Sequence, residues 1–326
     1  MTKTHGLVLT LAAVCLSAVA AVTTACSINK MAMSAVSDTL TADGSEGVFT
    51  GDSDPQLVGA ALPFAIKMYE SLLAANPNHQ GLLRTTGSLL VMYANGFVQK
   101  PAEQLPRSRY AERRAGMERA KKLYLRGLEL LYRGMELRYP GFDKAFQRGN
   151  LPAILAKMKK RDVASLYWAA AGGLSAYSLN PMDLNLGVRI PEFFALAQRA
   201  YELDEDFNLG ALDDFLLLYY ASVPGSMGGD KDRAELHYHR ALEKSHGLLA
   251  SPYVSYAQAV SIPAQDYDTF KVCLDAALAI DPDADKSNRL VNIITQRKAR
   301  YLLDNADLYF INAGSDDDWD WDDDNQ

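Results

Sequence analysis

Cysteine is scarce in this chain, with three in 326 residues, at Cys15, Cys26 and Cys273. A fold stapled by disulfides is therefore excluded, and stability has to come from a core, for which 48% hydrophobic residues suffice. Surplus positive charge is also lacking, with 33 basic residues against 40 acidic ones. Seven of those acids crowd the end, at Asp316, Asp317, Asp318, Asp320, Asp322, Asp323 and Asp324, so the rest of the chain is balanced. A neutral body has no excess of cations to neutralise phosphates, which excludes nucleic acid as a partner. Period-two alternation of useful length is absent too, so an all-α fold is expected.

The N-terminus reads as an export signal. Lys3 precedes an apolar run, Leu7 to Val22, shorter than the roughly 20 residues that span a bilayer. Thr23-Thr24-Ala25-Cys26 closes the run as a bacterial lipobox would, and Cys26 is the expected lipidation site, with Thr23 where leucine is usual. Ordinary cleavage with Cys26 as a bystander is the plainer alternative. Residues 1–25 are accordingly expected as a lipoprotein signal peptide and 26–53 as a flexible tether rich in Ser, Thr, Ala, Gly and Asp. An α-helical domain over 54–312 and a disordered acidic tail over 313–326 follow.

The domain carries a recurring helical register. In Phe270 to Pro282 (FKVCLDAALAIDP) a ring, an apolar residue, a small residue, an aliphatic and a proline fall at helical offsets. That pattern is the second helix of a tetratricopeptide (TPR) hairpin, and looser copies lie upstream. Asp54 caps a helix that Pro55 opens and that runs to about Ala75, with Ala65, Tyr69, Leu72 and Leu73 in register. Leu83, Gly87 and Leu90 mark the next helix, in which the small residue admits a close neighbour. Lys100 to about Arg109 reads as an insertion. Helices are then expected over Tyr110–Arg138, Arg161–Leu179, Pro191–Asp204, Leu209–Ser222, Ala234–Ser245, Tyr253–Val260 and Phe270–Ile280, with a capping helix over Ser287–Asn305. A hairpin of this kind cannot bury its apolar face alone, so the expected fold is a TPR-like helical-hairpin solenoid with insertions and a C-terminal capping helix.

Groups that could carry chemistry do not converge. His237 and His239 point about 200° apart on a helix, so they cannot share a metal, and Glu235 with His239 lacks a third ligand. Asp281, Asp283 and Asp285 mimic the start of a calcium loop, but Lys286 stands where glycine is obligatory and Asn292 where the closing carboxylate belongs. Ser27 and Lys30 have an acylase-like spacing, within the tether. Cys273 reads as a packed thiol. The basic run Arg107, Arg109, Arg113, Arg114, Arg119, Lys121 and Lys122 reads as a solvated helix face before it reads as a docking strip for an acidic partner. Trp319 and Trp321 sit in the acidic tail, which reads as a solvated end before a docking segment. No catalytic residue, metal or cofactor is therefore expected. The 17 tyrosines suit a cavity that is apolar yet orients a ligand, and the candidates are Tyr93, Asn95, Tyr167, Trp168, Tyr219, Tyr220, Tyr253 and Tyr256. Ordinary interhelical packing accounts for at least half of them.

Four segments go beyond a repeat register: Arg119 to Gly127 (RAKKLYLRG), Asp162 to Ala170 (DVASLYWAA), Ala250 to Ala257 (ASPYVSYA) and Gln296 to Leu303 (QRKARYLL). Together they resemble the T-component family of tripartite ATP-independent periplasmic (TRAP) transporters, over about Asp54 to Phe310. The resemblance implies a periplasmic lipoprotein, held to a membrane by its lipid, that associates with the solute-binding protein of a TRAP system. It also implies a homotrimer and a cavity that passes a small, even hydrophobic, ligand to that partner. The alternative is a general TPR lipoprotein scaffold for outer-membrane or secretion complex assembly.

Overall fold

The structure is a computed structural model that describes residues 34–41 and 47–311. The expected leader, Cys15, Cys26, Ser27, Lys30 and the acidic tail with Trp319 and Trp321 lie outside the described residues. Among the described residues the chain is helical and contains no strand.

Ten principal helices follow one another: α1 (Pro55–Ala75), α2 (Gln80–Tyr93), α3 (Tyr110–Arg138), α4 (Val163–Ser178), α5 (Ile190–Leu203), α6 (Ala211–Ser222), α7 (Lys231–Ser245), α8 (Ser251–Tyr256), α9 (Tyr267–Ala279) and α10 (Arg289–Asp304). Local chemistry sets several of the starts. Asp54 accepts from the backbone amides of Gln56 and Leu57 at 2.9 and 3.1 Å, with Pro55 at the first helical position. Asp230 and Asp266 cap α7 and α9 in the same way, each at 3.1 and 2.9 Å from the third amide on. Pro63 stands within α1, and its position faces solvent.

Each helix packs on its sequence neighbour, and α3 lies between α2 and α4. At the α2–α3 crossing a Cβ on Gly87 would meet Leu131 Cγ at 2.7 Å and the Gly127 carbonyl at 3.0 Å, so the two backbones touch because neither glycine has a side chain. Ala120, Tyr124, Gly127 and Leu128, the register residues of α3, are all buried. The last helix does more than cover an end. Arg289 Nη1 donates to the Gly51 carbonyl at 3.2 Å, Arg297 Nη2 to Gln56 Oε1 at 3.1 Å, and Lys298 Nζ pairs with Glu103 Oε2 at 3.1 Å. The run of helices thereby closes on its own beginning.

Three expectations need adjustment. Lys100 to Arg109 is not a plain insertion: α2 continues through a wide π-turn, Ala94–Gln99, into a helical turn, Lys100–Glu103. The expected 253–260 helix likewise begins at Ser251 and passes through a second π-turn, Ala257–Ser261. Parts of the segment read as a tether are folded onto the body. A short helix over 34–40 is tied down where Tyr69 donates to the Leu40 carbonyl at 2.9 Å and His79 meets Asp38 at 3.0 Å. Gly47–Thr50 forms one more turn near α10. The stretch between α3 and α4, given no structure above, holds short helices Phe142–Gln147 and Pro152–Leu155, whose Phe142, Phe146 and Leu155 are buried with Leu151 and Met158.

Candidate functional site

Helices α4, α6 and α8 each keep a half-buried stripe beside their buried residues, whereas α2 is buried along most of its length. On α4 the stripe is Tyr167, Trp168, Ala171, Leu174 and Ser175; on α6 it is Ala211, Asp214, Leu218 and Ala221, at the three- and four-residue spacing of one helix face. Tyr167, Trp168, Ala171, Leu174 and Ala221 of these stripes pack against the core at its margin. Beyond the effect of burial, the Asp214 carboxylate of α6 raises the pKa of the Tyr167 phenol of α4 and that of Lys100 beyond α2, and the Ser255 and Ser251 hydroxyls of α8 lower its own. Lys298 of α10 acts on Lys100 as well. Lys100, Asp214 and Tyr167 are each strongly desolvated although only half-buried.

Two of these three groups carry charge. Burial pushes Lys100 down to about 8, reinforced by Lys298 and opposed by Glu103 and Asp214. Among the described residues no hydrogen bond or ion pair reaches its ammonium. Burial pushes the Asp214 carboxyl up, against Ser255, Ser251 and Lys100, and Asp213 adds to the rise. Its Oδ1 is buried without a hydrogen-bond partner among the described residues. Beside them Glu103 is fully engaged, accepting from Gln99 Nε2 at 2.7 Å and from Lys298. Gln99 Oε1 in turn accepts from Tyr124 at 2.6 Å.

The eight expected site residues separate into two groups. Tyr167 and Trp168 sit together on the α4 stripe with ring centroids 5.1 Å apart, and burial lifts the Tyr167 phenol above its ordinary range. Asn95 is half-buried in the first π-turn, beside Tyr124, and Tyr253 and Tyr256 are half-buried on or just beyond the start of α8. Tyr256 also stacks on Tyr238 at 4.1 Å. The other three are packed into the protein. Tyr93 lies against Phe97 under Arg119. Tyr219 stacks on Phe194 at 4.4 Å and donates to the Met227 carbonyl at 3.0 Å. Tyr220 accepts from Arg233 at 3.1 Å and stacks on His237. Packing against α5 and α7 thus claims the α6 tyrosines, and the α6 residue that faces the interior is Asp214.

The remaining candidates are spoken for. His237 is buried with Nδ1 2.7 Å from Asp213 Oδ1, while His239 is exposed 3.8 Å from Glu235. Asp281 and Asp285 cap their own turns, and Asp283 pairs with Arg289. Cys273 is a buried free thiol 3.5 Å from Tyr238, and burial raises its pKa. In the basic run, Arg109 pairs with Glu112, Lys121 meets Asp183 at 2.7 Å and Arg119 meets Tyr93. A surface recess of about 420 Å³ is walled by the single turn Tyr201–Asp206, whose groups already bond Lys244 of α7, through the Glu205 carbonyl at 2.9 Å, and Arg240, through Tyr201 at 3.3 Å.

Comparison with known proteins decides the affiliation. The family model described as the TRAP transporter T-component matches residues 51–310, which is the whole circuit of helices. The chain belongs to the TRAP transporter T-component family. A protein of Treponema pallidum (strain Nichols), described as uncharacterized, is 33% identical over 302 residues, covering 88% of this chain and 93% of that protein. The T-component family is a transport-associated component and not a known enzyme family. Membership ties the chain to a TRAP transporter and to its membrane or periplasmic setting.

Proposed function

We propose that this T-component is a periplasmic lipoprotein, anchored through Cys26, that binds the solute-binding protein of a TRAP transporter and assists uptake of a small ligand held in its interior. The match across 51–310 carries the reading, because it spans every helix that contributes to that interior. On this reading the helices are divergent TPR-like hairpins, and α2, α4, α6 and α8 are the inner helices of each pair. Trp168, Tyr167 and Tyr253 supply apolar wall with polar tips. A homotrimer fits as well, since α1 turns Leu57, Phe64 and Met68 outward at 59, 76 and 37% exposure, an apolar stripe with no partner within the described chain.

The test is capture with the purified lipoprotein from a periplasmic extract, followed by sedimentation of the same preparation. The expected result is recovery of a TRAP solute-binding protein by a trimer. Recovery of barrel-assembly or secretion components alone would replace this function with the scaffold reading, and a monomer would remove the stoichiometry.

A further inference from the structure

The basic first half of α3 is only partly neutralised by the fold around it. Arg109, Lys121 and Arg119 have partners in Glu112, Asp183 and Tyr93. The side chains of Arg107, Arg113, Arg114 and Lys122 make no ion pair or hydrogen bond among the described residues. Glu118 is the other acid of this stretch, exposed and unpaired as well. Arg114, Glu118 and Lys122, four residues apart, line one exposed face that begins at Tyr110, whose ring is 67% exposed. Cations at a helix start are opposed by the helix dipole, and no side chain caps α3. This end of the helix therefore lacks an anion.

The chain leaves its last described residue, Ile311, beside that face. A Cβ on Gly116 of α3 would meet Ala102 Cβ at 2.6 Å, the adjoining Glu103 holds Lys298 at 3.1 Å, and Lys298 lies 5.7 Å from the Tyr301 ring along α10. After α10 the chain turns back on itself. The Phe310 amide donates to the Ala306 carbonyl at 3.0 Å, and Gln265 holds the Tyr309 carbonyl at 2.9 Å and the Ile311 amide at 3.1 Å. Burial pushes the Tyr309 phenol up to about 12, helped by Tyr301 and opposed by Arg113. Asp316 follows Ile311 within about 17 Å of extended chain. From there the acidic segment 316–324 stretches to about 26 Å, enough to cover the roughly 18 Å of α3 between Tyr110 and Lys122.

We propose that the acidic segment 316–324 docks on the basic first half of α3 in the same chain. Its seven carboxylates meet Arg107, Arg113, Arg114 and Lys122. The Trp319 and Trp321 indoles lie against the guanidinium planes and the Tyr110 ring, which accounts for two large rings in a segment otherwise built of acids. An acidic partner protein reaches this face only by displacing the segment.

The test uses the full-length protein carrying Trp168→Phe, in which Trp319 and Trp321 alone emit, with circular dichroism to establish folding. In dilute salt both indoles are expected to be shielded from acrylamide, and the shielding should be lost in about 1 M salt, where charges are screened beyond about 3 Å. Arg107→Glu with Arg114→Glu, at two exposed and unpaired positions, should abolish the shielding even in dilute salt. Adding Asp316→Lys and Asp318→Lys to that variant should restore part of it. Carbodiimide joins a carboxylate to an amine in contact, so it should link the segment to Lys122 in a product that runs as one chain on a denaturing gel. A product that runs only as two chains would overturn docking in the same chain and assign the face to a second copy. Equal quenching at both salt levels and in every variant would overturn the docking surface altogether. If Trp168→Phe fails to fold, the carbodiimide reaction of the unsubstituted protein decides, and no link to Lys122 would overturn the proposal.

Discussion

Replacing Asp213 with alanine is expected to lower stability by about 3–5 kcal/mol, because it removes the fully buried partner of both His237 and Lys244 and leaves Lys244 with the exposed Glu205 and Asp206. Asp213 is fully buried in α6, and its two oxygens hold His237 Nδ1 at 2.7 Å and Lys244 Nζ at 2.9 Å. At the α6–α7 contact this carboxylate is the buried charged link, beside the Arg233–Tyr220 hydrogen bond at the edge. Lys244 shows the balance: burial works against its charge, yet the Asp213 bond prevails and its pKa is raised. The raised value lies above the ordinary 10.5, so the stabilisation is complete below about pH 10 and fades only as the pH climbs past it. Urea titration at pH 7 measures the effect. A loss below about 1 kcal/mol would mean that water replaces the carboxylate freely and that α6 and α7 rely on packing alone.

The second large effect lies where the circuit closes. Glu103→Ala strands Lys298, which is 4% exposed, beside Lys100, and removes the acceptor of Gln99. The expected loss is again about 3–5 kcal/mol. The double variant Glu103→Leu with Lys298→Met should recover most of it, because an apolar pair of similar volume carries no charge to desolvate. Urea titrations of the single and double variants give the comparison. If the double variant is no better than the single, the loss is not that of an unpaired cation, and the helical turn Lys100–Glu103 instead needs the carboxylate for its shape.

The sequence made the helices legible because their register is periodic and their ends are marked. Asp54 with Pro55 gave the start of α1, and Asn76-Pro77 its end. Tyr110 to Arg138 matches α3 at both ends, since its small and apolar positions recur without interruption. Short pieces were hidden. Phe142–Gln147 and Pro152–Leu155 hold too few turns to show a period, although Phe142 is among the largest fully buried side chains. The π-turns were hidden for another reason: a single wide turn shifts the register, so 94–99 looked like the end of a helix and Lys100 like an insertion.

The interior was half legible. Of the candidate rings, Tyr167 and Trp168 lie half-buried on α4, whereas Tyr219 and Tyr220 could not be separated from packing without knowing where α5 and α7 lie. Asp214 carried a signal that the aromatic search passed over. Two adjacent acids, Asp213 and Asp214, interrupt an apolar helix, and adjacent residues point about 100° apart. One acid therefore meets α7 and the other meets the interior. Lys100 and Lys298 lie almost 200 residues apart and come together only because α10 returns to the start of the chain.

Trp168 offers the most direct measurement on the ligand-carrying interior. It and the tail residues Trp319 and Trp321 are the only tryptophans in the chain, so the Trp319→Phe, Trp321→Phe variant reports through Trp168 alone. Titrating that protein with 1-octanol is predicted to change the Trp168 emission saturably. Emission that stays constant to millimolar probe, from a protein still helical by circular dichroism, would contradict an interior that takes up ligand.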